Sequence, residues 1–218
     1  MDLIGEGLRS VVLPCSLAVL VPGLVVVMVA GRSAVGAVAG YVAGLLGLSW
    51  IRFGGRFGVG YTTPALIVAA LILLLGVGLM WSGSGRGEPR ASERVRGVLG
   101  RVWSGSPRGR VAVGGAAIGG VAAWLWRPCV GLRLGSVLSS IGVDPWGNLV
   151  PLTLFVTGLM VPLVVLAALP VAWPRLTVVR DSTVLGRIGV AGAVVLAGAL
   201  AVGLYDDVVV VLFRVSSF

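Results

Sequence analysis

The chain holds two cysteines, and each directly follows a proline: Leu13-Pro14-Cys15 and Arg127-Pro128-Cys129. Thiols serve as nucleophiles, redox carriers and metal ligands, with the thiolate as the reactive form. Two cysteines leave no odd sulfur, so a single intramolecular disulfide is available to this chain. Proline has a physical use beside them. It lacks the N–H that bonds four residues back and clashes with that turn, so it bends or breaks a helix and frees polar groups near the sulfur. Thiol–disulfide exchange needs such an opening, because a third sulfur must approach in line. The bland alternative is a pair of small buried hydrophobes beside ordinary transmembrane prolines.

Little else is equipped for chemistry. There is no histidine, which removes the commonest general base and metal ligand. No Walker, Rossmann or CxxC pattern is present, and neither a metal nor a cofactor is expected. Asp206 and Asp207 read as solvated acids at a span end, and Asp144, in Asp-Pro-Trp-Gly-Asn, as a turn residue.

The elements that must position the cysteines are set by the solvent. Hydrophobic residues make up 57% of 218 and charged residues only 11%, with a mean hydropathy of +1.06. A soluble domain carries about 25% charged residues. Lipid is therefore the expected solvent, and the net charge of +9 reads as topology signal, not as a nucleic-acid footprint. No cleavable signal is evident, since Asp2 and Glu6 stand where a basic n-region would be.

A span needs about 20 mainly apolar residues. Apolar stretches occur at 8–30, 34–51, 63–81, 111–142, 149–173 and 187–204. The fourth is too long for one straight crossing and is expected to tilt, break or re-enter, with Pro128 and the glycines Gly119, Gly120, Gly131 and Gly135 as candidate break points. Residues 82–110 form an Arg-, Gly- and Ser-rich loop. By the positive-inside rule that loop is cytoplasmic, as are Arg32, Arg175, Arg180 and Arg187, and both termini are outside. Arg52 and Arg56 then fall outside as well, against the rule.

These counts predict an all-α membrane protein of six transmembrane helices, with three-helix repeats at 1–81 and 111–218. Three spans per half orient the halves oppositely, and a Pro–Cys pair sits in the first span of each. That is the inverted-repeat plan, in which broken helices place functional groups near the repeat interface. Gly36, Gly40 and Gly44 have the small-xxx-small spacing of close helix packing. Trp50, Trp81 and Trp173 suit an aromatic belt.

At this point the residues resemble a family. Arg9–Gly23, with its Pro14-Cys15 and a further proline, resembles the first helix of the CcdA/DsbD transmembrane family. Trp126-Arg-Pro-Cys-Val-Gly-Leu-Arg-Leu-Gly135 resembles the family's second motif, Trp-x-Pro-Cys-Val-Gly-Pro-x-Leu-Gly, at every position but one. Gly158-Leu-Met-Val-Pro162 resembles its Gly-x-x-x-Pro. The resemblance covers nearly the whole chain in span count and motif placement, and three short patches in residue identity. It implies a multi-pass inner-membrane protein that moves reducing equivalents from cytoplasmic thioredoxin to an extracytoplasmic thioredoxin-like protein, often for cytochrome c maturation, with no cofactor. By position, Cys15 and Cys129 would be the redox pair, meeting inside the bilayer. Pro14 and Pro128 would shape their helices, and Pro162 would break the fifth.

The chain also departs from the family. Ala18 stands where the family has proline, with Pro22 further on, and Leu132 replaces the proline of the second motif. Arg127 and Arg133 flank Cys129. A charge at a helix centre costs roughly 2.5–3.5 kcal/mol on insertion scales. Arg133 either snorkels to the interface or, four residues on from Cys129, shares its face and favours the thiolate. Two rival functions stand beside this reading, the second kept open by the lost prolines. One is a small-solute or ion transporter, for which Thr153 and Thr157 are the sparse polar candidates. The other is a redox-inactive assembly subunit.

Overall fold

A computed structural model describes residues 3–9, 11, 14–54, 63–84, 106–126, 149–172, 182–202 and 204. They are helical almost throughout, with no strand among them. In chain order the helices are α1 (Leu3–Arg9), α2 (Pro14–Ala30), α3 (Ala34–Gly54), α4 (Thr63–Gly83), α5 (Pro107–Leu125), α6 (Leu149–Ala172) and α7 (Thr183–Val202).

Four described helical stretches are long and apolar enough to cross a membrane: Val19–Arg52, Pro64–Gly83, Leu149–Leu169 and Thr183–Val202. The first is a hairpin. Gly31 takes a left-handed φ of 55°, which glycine tolerates without a Cβ penalty, and a short 3₁₀ turn over Gly31–Ser33 reverses the chain. The buried Tyr41 hydroxyl then donates to the Val19 carbonyl. On one straight helix those residues would stand about 33 Å apart. Tyr41→Phe is expected to lower stability by about 1 kcal/mol, the scale of an interhelical hydrogen bond in a membrane protein. A melting curve superimposable on that of the parent would show that the bond contributes nothing.

Several helix boundaries differ from the hydropathy reading. The stretch expected as one span at 8–30 is two helices, because Pro14 opens α2 as its first residue, a position where the missing N–H is not needed. Helix α4 runs on to Gly83 and α5 starts at Pro107, so the segment between them is shorter than the expected 82–110. Ser106 caps α5 by accepting from the Gly109 N–H at 3.2 Å. Ser182 does the same for α7, accepting from Leu185 N–H at 3.1 Å. Such caps satisfy a free donor of the first turn, and they start both helices a few residues before the apolar run.

Helix α5 is the centre of the bundle. From Val111 to Trp126 no residue is exposed, and α2, α3 and α4 all pack on it. Only small residues admit neighbours on so many sides. A Cβ on Gly115 or Gly119 would overlap the carbonyls of Ala37 or Tyr41 on α3, and one on Gly40 or Gly44 would overlap those of Ala112 or Ala116 on α5. Gly40 and Gly44 thus serve the packing role expected of them, whereas a Cβ on Gly36 meets nothing. Gly119 and Gly120 lie within continuous helix. They are not where the long fourth stretch breaks; α5 ends at Leu125, ahead of Pro128.

Pairwise contacts give the directions. The α3–α5 pairs advance together, so these helices are parallel. Gly83 sits by Pro107 and Val111, and Gly76 by Gly114 and Ile118, so α4 opposes α5. Gly189 meets Met28 and Val29, and Gly192 approaches Val25, so α7 opposes α2. Helix α6 opposes α3: Trp126, at the end of α5 beside Arg52, stacks on Phe155, while Val164 and Ala167 lie beside Val35–Leu46. From α2 to α7 successive helices alternate in direction. Arg32, Arg108, Arg110 and Arg187 lie at one end, and Arg52 at the other.

The outer surface is aliphatic. Leu71, Leu75, Val150, Val164, Val195 and Val202 are among many large apolar side chains left exposed. Such a surface is unstable in water and at home in hydrocarbon.

Candidate functional site

The end of the bundle marked by Arg52 gathers the start of α2, the ends of α3 and α5 and the first half of α6. The first Pro–Cys pair opens α2 at this end, and the second follows in sequence the helix that ends here. Pro14 and Cys15 form the first turn of α2. Pro128 and Cys129 follow the last residue of α5 by three and four positions. The first pair thus opens a described helix, while the second lies beyond the described end of α5. The side chains of Pro14 and Cys15, and all of Arg127, Pro128, Cys129 and Arg133, lie outside the described residues.

What holds these segments is described. Trp126 is 3% exposed and stacks on Phe155 of α6, with ring centroids 6.3 Å apart and planes at 13°. Helix α1 rests on the same stretch of α6: a Cβ on Gly7 would overlap the Phe155 carbonyl, and one on Gly158 the carbonyl of Ile4. The backbone of Cys15 reaches this level too. Helices α2 and α6 run parallel, and Gly23 packs on Leu163. Cys15 precedes Gly23 by eight residues, as Phe155 precedes Leu163, which is about 12 Å of helix rise in each. Phe155 is thus a shelf for Trp126, two residues before Pro128 in sequence, at the level of the Cys15 backbone.

Arg52 closes the end of α5. Its Nη1 donates to the carbonyls of Trp124 at 2.7 Å, Trp126 at 2.8 Å and Ala123 at 3.1 Å. The last carbonyls of a helix have no intrahelical donor, and a basic side chain there also offsets the negative end of the dipole. Sequence reasoning took Arg52 only as an exception to the charge rule. The available signal was a lone arginine ending one apolar run in a chain where another is interrupted by Pro128.

Ser49, one turn before Arg52, is 0% exposed, and its hydroxyl has no hydrogen-bond partner. An orphaned buried hydroxyl costs about 1–3 kcal/mol.

One expectation changes. Pro162 does not break the fifth span, since α6 is continuous from Leu149 to Ala172; packing by α1, α2 and α3 on its sides keeps the chain helical where one backbone bond is missing. Of the tryptophans expected in a belt, Trp50, 41% exposed at the end of α3, and the half-buried Trp81 near the end of α4 stand at opposite ends of the bundle, and Trp173 lies outside the described residues. Thr153 donates to the Leu149 carbonyl and Thr157 to that of Thr153, both at 2.7 Å. Thr157 lies on an exposed face. The two hydroxyls are thus occupied within α6 and do not converge with other polar groups. Among the described residues no cluster of three or more His, Cys, Asp or Glu could hold a metal ion. No family model, curated protein or solved structure matches the chain.

Proposed function

We propose that the protein is a thiol–disulfide electron conduit of the CcdA/DsbD type, with six crossings arranged as two oppositely oriented three-helix repeats. The observation that supports this reading is the shelf at Phe155: Trp126, two residues before Pro128 in sequence, stacks on it at the level of the Cys15 backbone, 114 positions before Cys129. The alternating directions of α2 to α7 support six crossings. The arginine-rich end is then cytoplasmic, and the Pro–Cys end faces outward with both termini.

The reaction balances on sulfur alone. A thiolate of reduced cytoplasmic thioredoxin attacks the Cys15–Cys129 disulfide and displaces one sulfur, forming a mixed disulfide. The second thioredoxin thiol resolves it, leaving thioredoxin oxidised and Cys15 and Cys129 as thiols. A thiolate of that pair then attacks the disulfide of an extracytoplasmic thioredoxin-like protein, and its partner resolves the bond. The intramembrane disulfide re-forms and the external dithiol is released. Two electrons and two protons pass per cycle. Reduction from the arginine-rich side requires the helices to rearrange, because Cys15, in the first turn of α2, stands at the other end.

Non-reducing electrophoresis of membranes prepared without added oxidant tests the pairing. The parent is expected to hold a Cys15–Cys129 disulfide. Cys15→Ser or Cys129→Ser is expected to retain a trapped mixed disulfide with a thioredoxin and to lose transfer by at least about 100-fold, because no second sulfur remains to complete the exchange. Full function in the double Ser variant would remove the redox reading, leaving an assembly subunit or a transporter.

A further inference from the structure

We infer that Arg52 is a positioning residue for the second Pro–Cys segment: its guanidinium replaces the backbone donor that Pro128 lacks and fixes a positive charge at the broken end of α5. In a continuing helix the carbonyls of Ala123 and Trp124 would accept from the N–H groups of residues 127 and 128. Residue 128 is proline and has none, so continuing the helix cannot satisfy Trp124. The shortest Arg52 bond, 2.7 Å, goes to that carbonyl.

The guanidinium takes up the carbonyls at the last described turn of α5. Ala122 is served by the Trp126 N–H at 2.8 Å, and the next carbonyls, Ala123 and Trp124, turn to Arg52. Trp126 itself leaves the helix at ψ 114°, which swings its carbonyl onto the same nitrogen at 2.8 Å. Nη1 carries two hydrogens, so the longer contact to Ala123 is shared. In hydrocarbon an unsatisfied carbonyl is costly. An arginine that breaks the positive-inside pattern is thereby explained by local need.

The charge has a consequence for chemistry, which rests on the redox reading. Cys129 follows Trp126 by three residues, a chain reach of at most about 11 Å, so a thiolate there forms in the field of the Arg52 cation. Other charged residues that flank these elements in sequence are Glu6 and Arg9 of α1, Arg56 after α3, Arg127 and Arg133 beside the cysteine, and Asp144 before α6. Helices α2, α4 and α6 carry none. All of these are unchanged by substitution at position 52.

Full-length protein in micelles allows a double-mutant cycle. Pro128→Ala gives residue 128 an N–H. Arg52→Gln is expected to lower the melting temperature by about 5 °C in the parent and by less than half as much in the Pro128→Ala background. Equal losses in both backgrounds overturn the pairing. If Arg52→Gln alone does not fold, recovery of folding by Pro128→Ala supports the pairing, and failure to recover overturns it.

A second measurement reads the charge. In a Cys15→Ser background, the rate of Cys129 modification by N-ethylmaleimide is followed against pH. Arg52→Gln is expected to move the profile up by about one pH unit, and Arg52→Lys to leave it near the parent. An unmoved profile in Arg52→Gln overturns the charge role. Failure of the redox reading shows separately, as full function of the double Ser protein, and leaves the Arg52–Pro128 coupling intact.

Discussion

Gly119→Val is expected to destabilise the protein by about 3 kcal/mol or more and to abolish a monodisperse folded species in micelles. The physical cause is backbone against backbone. A Cβ at position 119 would overlap the Tyr41 carbonyl, and neither partner is a flexible side chain. Overpacking a core by a methylene or two costs typically about 1–3 kcal/mol. Here the only relief is to push α3 away from α5, which also opens the contacts of Gly115, Gly40 and Gly44 along the same seam. Close approach of small residues is the main attraction between helices in lipid, since lipid tails are as apolar as the side chains they would replace. Gly36→Ala and Gly47→Ala are the controls. Both positions are exposed, a Cβ on either meets nothing, and a methyl there improves helix propensity. Size-exclusion profiles and melting curves of the three variants decide the matter. If Gly119→Val behaves like Gly36→Ala, then α3 and α5 do not pack as described.

Trp126→Ala has the second largest expected effect, about 2–3 kcal/mol. In a soluble core, truncating a buried Trp costs about 3–5 kcal/mol. Part of that is transfer from water, which a lipid-embedded protein does not recover; what remains is the void and the lost dispersion contacts. Stacking on Phe155 adds about 0.5–1.5 kcal/mol. Trp126→Phe keeps a ring on the shelf and is expected to lose less than half as much. Trp50→Ala, at an exposed position, is expected to leave the melting temperature nearly unchanged. The functional consequence is separable from stability. With Trp126 gone, the stacking two residues before Pro128 is lost, and on the proposed redox reading spontaneous Cys15–Cys129 disulfide formation is expected to slow at temperatures where the protein remains folded. An alanine variant that forms the disulfide at the parent rate would show that Phe155 is not the shelf that aligns the two segments.

Composition and apolar runs were enough to give the lipid solvent, the helical class, the break between the runs at 8–30 and 34–51 and the arginine-rich end. Those properties follow from the chain's own hydropathy and charge, summed over stretches of about a helix length, and need no knowledge of neighbours. The motif residues were legible for the same reason: a Pro–Cys pair, or a tryptophan two residues before it, is a local pattern. What lay beyond reach depended on the opposite surface. Gly119 read as a break point, yet it is a packing seam because Tyr41 stands across from it. Pro162 read as a break, yet α6 continues because three neighbouring helices hold it. Arg52 read as a topology exception, yet it closes α5 because the carbonyls of residues 123, 124 and 126 converge on it. In each case the residue's own preference is worth at most a few kcal/mol, and the identity of the group facing it across the bundle settles which role it takes.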